Sequence, residues 1–284
     1  MNKIVLGSVQ FGTNYGINNI TGKVTPEEVC LILNIASQNG VVTLDTSSAY
    51  GTSEQALGDA FKKTRLKFNI VSKYPKSDVG VRDTFIKSLN NLGVDRLYGY
   101  LEHHFEFFQE HPDTYEEMKK LKEDGYIQKI GFSLYNPQQL QYLYDHNVQF
   151  DILQFPYNIF DRSFEPYMEQ LCKENVEIHT RSVFLQGLFF KETNTLPEKL
   201  IPLRPYLDSL HKYCVNEEIS VEQIAFGYVL DNKYVKGTLI GVDNHTQLES
   251  NIKAASHHLK SKDIDFIKSI EIKEKELLNP VSWK

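Results

Sequence analysis

The sequence is poor in cysteine, tryptophan and methionine, and it has neither a long apolar run nor a surplus of positive charge. The three cysteines, Cys30, Cys172 and Cys214, lie far apart. An odd, scattered set fits neither a disulfide framework nor a zinc site, and a reducing compartment is expected. The opening "MNKIVLGSVQFG" turns strand-like at once, without the basic region and apolar stretch of a secretory leader. Nowhere does an apolar run reach the length needed to span a bilayer, so the expected location is the cytoplasm. The net charge is −6, and basic pairs such as Lys62-Lys63 and Lys119-Lys120 are interleaved with acids. That distribution argues against a nucleic-acid surface, which needs clustered Lys and Arg. No linker or low-complexity tract interrupts the 284 residues, and one domain over 1–284 is expected.

What is present is an alternation. Strand-like runs occur at 3–7, 41–45, 68–73, 97–103, 127–133, 150–155, 176–180 and 235–241. Helical patterning fills the gaps. At Thr25 the spacing predicts a capping box with Glu28, Pro26 in the first turn, an apolar face of Val29, Ile32, Leu33 and Ala36, and a stop at Gly40. Ser220 and Gln223 predict a second box, ahead of Val221, Ile224, Ala225 and Tyr228. Eight apolar runs separated by amphipathic helices predict an α/β fold, a single (β/α)8 TIM barrel. The stretch from Phe189 to Ile219 exceeds an ordinary connection, and "RPYLDSLHKYC" within it reads as a helix.

Active sites of such barrels lie at the C-terminal ends of the strands, so polar residues there form a map. "VVTLD" ends on Asp45, with Tyr50 in the small-residue loop beyond. Lys73, His103, Ser133 and Gln154 stand at or near the ends of later runs, and the seventh leads into "TRSVFLQG". A tyrosine hydroxyl, with a pKa near ~10, is a poor acid at neutrality. A neighbouring ammonium held by a buried carboxylate lowers that value, and a histidine adds a second donor for a carbonyl oxygen. The set suits protonation of an alkoxide formed as hydride reaches a carbonyl carbon. Taken singly, each residue has a plainer reading: Asp45 as a loop cap, Tyr50 as a packed aromatic, Lys73 as a surface residue, His103 as a hydrogen-bonded rim residue. The joint arrangement is what chance does not supply. Adjacent strand residues face opposite ways, so at most one of His103 and His104 points to the barrel axis. That makes the pair poor evidence for a metal, and the first run carries no ligand either. His179 reads as a core or rim histidine.

The blocks "LGSVQFG" (6–12), "LDTSSAYGTSEQALG" (44–58), "SKY" (72–74), "GFS" (131–133), "LQFPYNIFDR" (153–162), "LQGL" (185–188) and "LIGVDNHTQLESN" (239–251) fall in one order along nearly the whole chain. In that order they resemble the aldo-keto reductase superfamily. The resemblance implies that Tyr50 is the general acid, that Lys73 and Asp45 tune it, and that His103 orients the carbonyl. The choice of His103 over His104 follows the family-like spacing from Asp95 in "VDRLYGYLEH". By the same resemblance Ser133 and Gln154 hold a nicotinamide carboxamide and Asn251 lies near the adenine. Arg181, Ser182, Gln186, Gly187, Gly241, Asp243 and Gln247 are the remaining implied cofactor residues. An extended NADP(H) or NAD(H) is implied without a Rossmann fold, in keeping with the lack of G-x-G-x-x-G after the first run.

Three departures from the family pattern bear on function. Leu134 follows Ser133 where many members have Asn, which removes one amide contact. Arg181 stands where many members place an aromatic that stacks on the nicotinamide, and is expected to reach cofactor or substrate. Members that prefer NADPH offer Lys or Arg to its 2′-phosphate, whereas Asp243, Asn244 and Gln247 occupy the matching positions here; an acid there favours NADH. The expected activity is NAD(P)-dependent interconversion of an aldehyde, ketone or sugar carbonyl with its alcohol. The partner is thus a small carbonyl compound, with no metal, nucleic acid or membrane involved. The alternatives are a catalytically weak, cofactor-binding regulatory subunit of the same fold and a metal-dependent barrel hydrolase. Phe105, Phe107 and Phe108 read either as an apolar substrate wall or as helix packing, and Trp283 as a frayed tail or a lid.

Overall fold

The computed structural model describes residues 2–283; Met1 and Lys284, the ends of the expected 1–284 domain, lie outside the described residues. Its eight strands are β1 (Ile4–Gly7), β2 (Thr43–Asp45), β3 (Asn69–Tyr74), β4 (Leu97–Glu102), β5 (Ile127–Ser133), β6 (Ile152–Pro156), β7 (Glu177–Arg181) and β8 (Val235–Gly241). Each pairs in parallel with its sequence neighbours, and β8 returns to β1 to close the barrel. The fold is the expected (β/α)8 TIM barrel. Most boundaries differ from the expected runs by one or two residues: β2 starts at Thr43, β6 at Ile152, and β4 stops at Glu102, leaving His103 just past its end.

The helices follow the strands in alternation. They are α1 (Val9–Gly12) and α2 (Pro26–Gln38), α3 (Ser53–Thr64), α4 (Val81–Leu92), then α5 (Phe105–Glu110) and α6 (Asp113–Glu123). After β5 and β6 come α7 (Pro137–Asp145) and α8 (Met168–Lys173). After β7 come α9 (Arg204–Asn216) and α10 (Val221–Asp231), and after β8 α11 (His245–Ala254) and α12 (Ser261–Ser269). The long stretch after β7 thus contains the expected helix, preceded by short 3-10 turns. Among the described residues no helix is long and apolar enough to cross a membrane.

The strand residues divide by alternation. Ile70, Tyr74, Tyr100, Phe132, Leu153, Phe155 and Ile178 belong to the main core under the helices, while Val71, Leu101 and Ile152 form a separate small cluster with Tyr98 packed on it. Burial of each large apolar side chain stabilises the fold by about 1.5–3 kcal/mol, and strands buried on both faces read as near-continuous apolar runs. The expected face of α2 is fully buried, and Gly40 takes a φ of +73° just beyond its end. The expected capping box there is only half made. Thr25 accepts from the Glu28 amide at 3.3 Å, but the Glu28 carboxylate reaches His245 instead of turning back. The free N–H groups at the start of α11 compete for it. The box at Ser220 and Gln223 is complete.

Phe105, Phe107 and Phe108 are buried on α5 and pack on Phe132, Tyr115, Tyr142 and Tyr74, so they are helix packing and not a substrate wall. The C-terminal turn is not frayed at Trp283, whose indole N–H donates to Leu277 O at 2.8 Å.

Candidate active site

Asp45, at the end of β2, and Lys73, near the end of β3, meet inside the barrel mouth. Lys73 Nζ donates to Asp45 Oδ1 at 2.5 Å and to Thr46 O at 2.9 Å, with both side chains almost wholly buried. The other carboxylate oxygen, Oδ2, accepts from Gln154 Nε2 at 2.8 Å. Tyr50 lies against this pair, with Lys73 Nζ 5.2 Å from its ring centroid, and meets the His103 ring edge-on at 5.6 Å between centroids. The four residues expected to act together are therefore brought together. His103, and not His104, faces Tyr50.

The loop that carries Tyr50 needs small residues because it is pressed against the turn after β1. A Cβ on Gly12 would stand 1.8 Å from Tyr50 O, and one on Gly51 would stand 2.5 Å from Gly12 O. Gly51 also has a φ of +57°, in the region that favours glycine. Ser53 Oγ ties the loop to Ser8 O at 2.8 Å, and Ser8 Oγ donates to Asp45 O at 2.9 Å. Ser47 sets the histidine. Its Oγ accepts from the Ala49 N–H and lies 3.1 Å from His103 Nδ1. With the Ser47 hydroxyl donating to Nδ1, the imidazole proton would sit on Nε2, facing the barrel mouth. Burial, reinforced by Lys73, His104 and Arg181, holds His103 well below the usual histidine range, so the ring is neutral at neutral pH.

Burial, and next Asp45, push the Tyr50 hydroxyl well above its usual value, and Arg181 pulls it down. Burial pulls Lys73 itself below the usual lysine value, with Asp45 opposing. Arg181, at the end of β7, lays its guanidinium over the Tyr135 ring at 4.3 Å and donates to Leu134 O at 3.0 Å. A second cation thus faces Tyr50, one that pairs with no carboxylate among the described residues.

The residues expected to bind a cofactor line the same rim. Ser133 and Gln154 are buried at the ends of β5 and β6, opposite one another in register. Ser182, Leu185, Gln186 and Gly187 all have positive φ, so the loop after β7 is a sharply wound segment. It is held by the loop after β1: Gln186 Nε2 donates to Tyr15 Oη at 2.6 Å, and Asn18 Nδ2 donates to Gly187 O at 2.7 Å. Beyond β8, Asp243 accepts from Asn19 Nδ2 at 3.0 Å and from Gln247 Nε2 at 3.4 Å, while Asn251 is buried on α11. The rim retains hydrogen-bonding capacity of the kind a dinucleotide uses. Gln10 Oε1 is buried without a partner, and its amide lies so close to Gly241 that a Cβ there would stand 2.5 Å from Nε2. The residues present fit a hydroxyl- and amide-rich ligand. Among the described residues no group of three or more His, Cys, Asp or Glu is placed to hold a metal ion; His179 instead pairs with Glu177 at the opposite end of the barrel.

Residues 3–272 match the model of the Aldo/keto reductase family. The chain belongs to that family. It is similar to an uncharacterized oxidoreductase, YqkF, of Bacillus subtilis, with 24% identity over 79% of this chain and 81% of the relative. It is also similar to the NADH-specific methylglyoxal reductase of Escherichia coli, with 23% identity over 83% of this chain and 85% of the relative. Among solved structures, an aldo-keto reductase from Bacillus halodurans superposes with a TM-score of 0.73 at 19% identity, over 96% of this chain and 94% of the other, a likeness of fold. Within this aldo/keto reductase, Ser47, Gln10, Tyr15, Asn18, Asn19 and Tyr135 are rim residues that pattern reading passed over. The polar stretch "TNYGINNITG" after β1 was the available signal for three of them.

Proposed function

We propose that this protein, as one barrel domain over residues 1–284, is an NAD(P)-dependent reductase of an aldehyde, ketone or sugar carbonyl, with Tyr50 as proton donor. One observation carries the reading. Asp45 and Lys73 engage each other at 2.5 Å, while the Tyr50 hydroxyl and the His103 Nε2 side have no hydrogen-bond partner among the described residues. A bound nicotinamide supplies hydride to the carbonyl carbon. As negative charge grows on the carbonyl oxygen, the His103 Nε2–H and the Tyr50 O–H both donate to it, and Tyr50 gives up its proton. Lys73 and Arg181 stand near the phenolate left behind, and Asp45 with Gln154 keeps Lys73 in place. In the oxidative direction the Tyr50 phenolate takes the proton from the alcohol.

Ser133 and Gln154 would hold the carboxamide, and Arg181, Ser182, Gln186 and Gly187 would flank the middle of the cofactor. Gly241, Asp243, Gln247 and Asn251 would line its adenosine end. The buried, unpartnered Gln10 Oε1 supports a hydroxyl-bearing ligand at this rim. Similarity to a reductase named for methylglyoxal supports a small carbonyl substrate.

The test is a fluorescence titration of the purified protein with NADH and, separately, NADPH, followed by turnover of wild type and Tyr50→Phe on a panel of carbonyl compounds. Binding of at least one cofactor and a loss of about 10²–10⁴-fold in turnover for Tyr50→Phe are expected. Binding of neither cofactor would overturn the reading. Binding with no turnover on any compound would favour a regulatory subunit.

A further inference from the structure

The N-terminal end of α11 is already occupied by a carboxylate from another helix. Glu28, in the first turn of α2, extends to His245, the first residue of α11. Its Oε1 accepts from the His245 backbone N–H at 2.5 Å and from His245 Nδ1 at 2.8 Å. A helix start offers N–H groups with no internal partner and the positive end of the helix dipole, which is why anions settle there. Here the anion is part of the protein. One residue before the N-cap, Asp243 adds a second carboxylate, fixed by Asn19 and Gln247. Burial raises Asp243 above its usual value and Gln247 lowers it, with no lysine or arginine among the groups that act on it.

This arrangement matters for the cofactor reading above, on which the inference rests. NADH and NADPH differ only by a phosphate on the adenosine 2′-hydroxyl, and a phosphomonoester carries about −1.5 to −2 charges at neutrality. Brought to this end of the barrel, that phosphate would find the helix start engaged and two carboxylates beside it. A free 2′-hydroxyl, by contrast, can donate to a carboxylate without an unfavourable charge. We infer that Glu28, reaching across from α2, fills the anion-accepting end of α11 and together with Asp243 makes the site select NADH over NADPH. Glu28 lies well outside the blocks that carry the family likeness, so it is a specificity-determining residue that only the packing of α2 on α11 brings to the cofactor.

The inference is tested by equilibrium titration, monitored by nucleotide fluorescence, of the full chain with NADH and NADPH. Wild type, Glu28→Gln and Asp243→Asn are compared, and thermal melting checks that each is folded. Glutamine keeps an oxygen for both His245 donors and removes the charge. Wild type is expected to bind NADH at least about tenfold tighter, and Glu28→Gln to narrow that ratio about tenfold, mainly by tightening NADPH; tenfold corresponds to about 1.4 kcal/mol. Should Glu28→Gln fail to fold, the wild type supplies a second readout: the NADH/NADPH affinity ratio should fall as salt rises, because salt screens like-charge repulsion. A wild type that prefers NADPH overturns the inference, as does an unchanged ratio in folded Glu28→Gln or a ratio that rises with salt. Binding of neither nucleotide overturns the cofactor reading and this inference with it, whereas NADH binding with an unshifted ratio overturns the inference alone.

Discussion

The barrel holds the same four kinds of side chain at both of its ends, and only one set leaves its tyrosine and histidine without a carboxylate partner. At the mouth are Tyr50, Lys73, Asp45 and His103. At the floor, near the N-terminal ends of the strands, are Tyr98, Lys129, Glu177 and His179. At the floor the carboxylate takes everything: Glu177 accepts from Tyr98 Oη at 2.6 Å, Lys129 Nζ at 2.5 Å and His179 Nε2 at 2.7 Å. At the mouth the carboxylate takes only Lys73 and Gln154, so the tyrosine and histidine stay available. Composition therefore does not define a catalytic site. What defines it is which donors the carboxylate leaves unengaged, and the C-terminal face is where the βα loops supply the space.

The sharpest way to break this comparison is to remove the two hydroxyls in turn. Tyr50→Phe should lower turnover by about 10²–10⁴-fold, while Tyr98→Phe, which loses a hydroxyl already bound to Glu177, should leave turnover within about twofold. Equal losses in steady-state assays would erase the distinction between the two ends. The lysines should differ in the opposite property. Lys73 and Asp45 have side-chain exposures of 1% and 3%, so Lys73→Met strands a buried carboxylate and should cost about 3–5 kcal/mol in urea unfolding. Lys129 is 30% exposed, and its partner keeps two other donors, so Lys129→Met should cost about 1 kcal/mol or less.

Arg181 has no counterpart at the floor. Burial, then Asp45, raises the Tyr50 hydroxyl, and Arg181 opposes them, so Arg181→Gln should raise it further. In the proposed mechanism carbonyl reduction needs the protonated tyrosine, so its alkaline limb should move to higher pH in the variant. Alcohol oxidation needs the phenolate, and its onset should move to higher pH as well. Paired pH–rate profiles in both directions check this, and unmoved limbs would show that Arg181 does not tune Tyr50.

The fold and the four-residue mouth were legible in the sequence because each depends on short-range pattern. Apolar runs ending on Asp45 and Lys73 mark strand ends, and strand ends in a closed parallel barrel converge on one rim. What escaped depends on side chains meeting across the barrel. Nothing local distinguishes Tyr98 from Tyr50 in donor chemistry, or shows that Arg181 would settle on Tyr135 and add a second cation beside Tyr50. Glu28 misled for the same reason. Its spacing from Thr25 satisfied a capping box, but packing of α2 on α11 offered its carboxylate a better pair of donors.

The smallest expected effect separates the two ends by acid. Burial works against it, but the bonds from His179, Lys129 and Tyr98 pull Glu177 from its ordinary 4.5 down to about 2. Its folded value lies below its unfolded one, so its contribution to stability is complete above about 4.5 and is lost as pH falls toward about 2. Glu177→Gln removes that titration without touching the mouth. Denaturant unfolding at a series of pH values should therefore show a shallower loss of stability in the variant than in wild type across that window, with turnover at neutral pH unaltered. Parallel acid slopes would mean that the floor network holds no special carboxylate. A loss of turnover would mean that the two ends of the barrel are coupled through its interior, where Val71, Leu101 and Ile152 separate them.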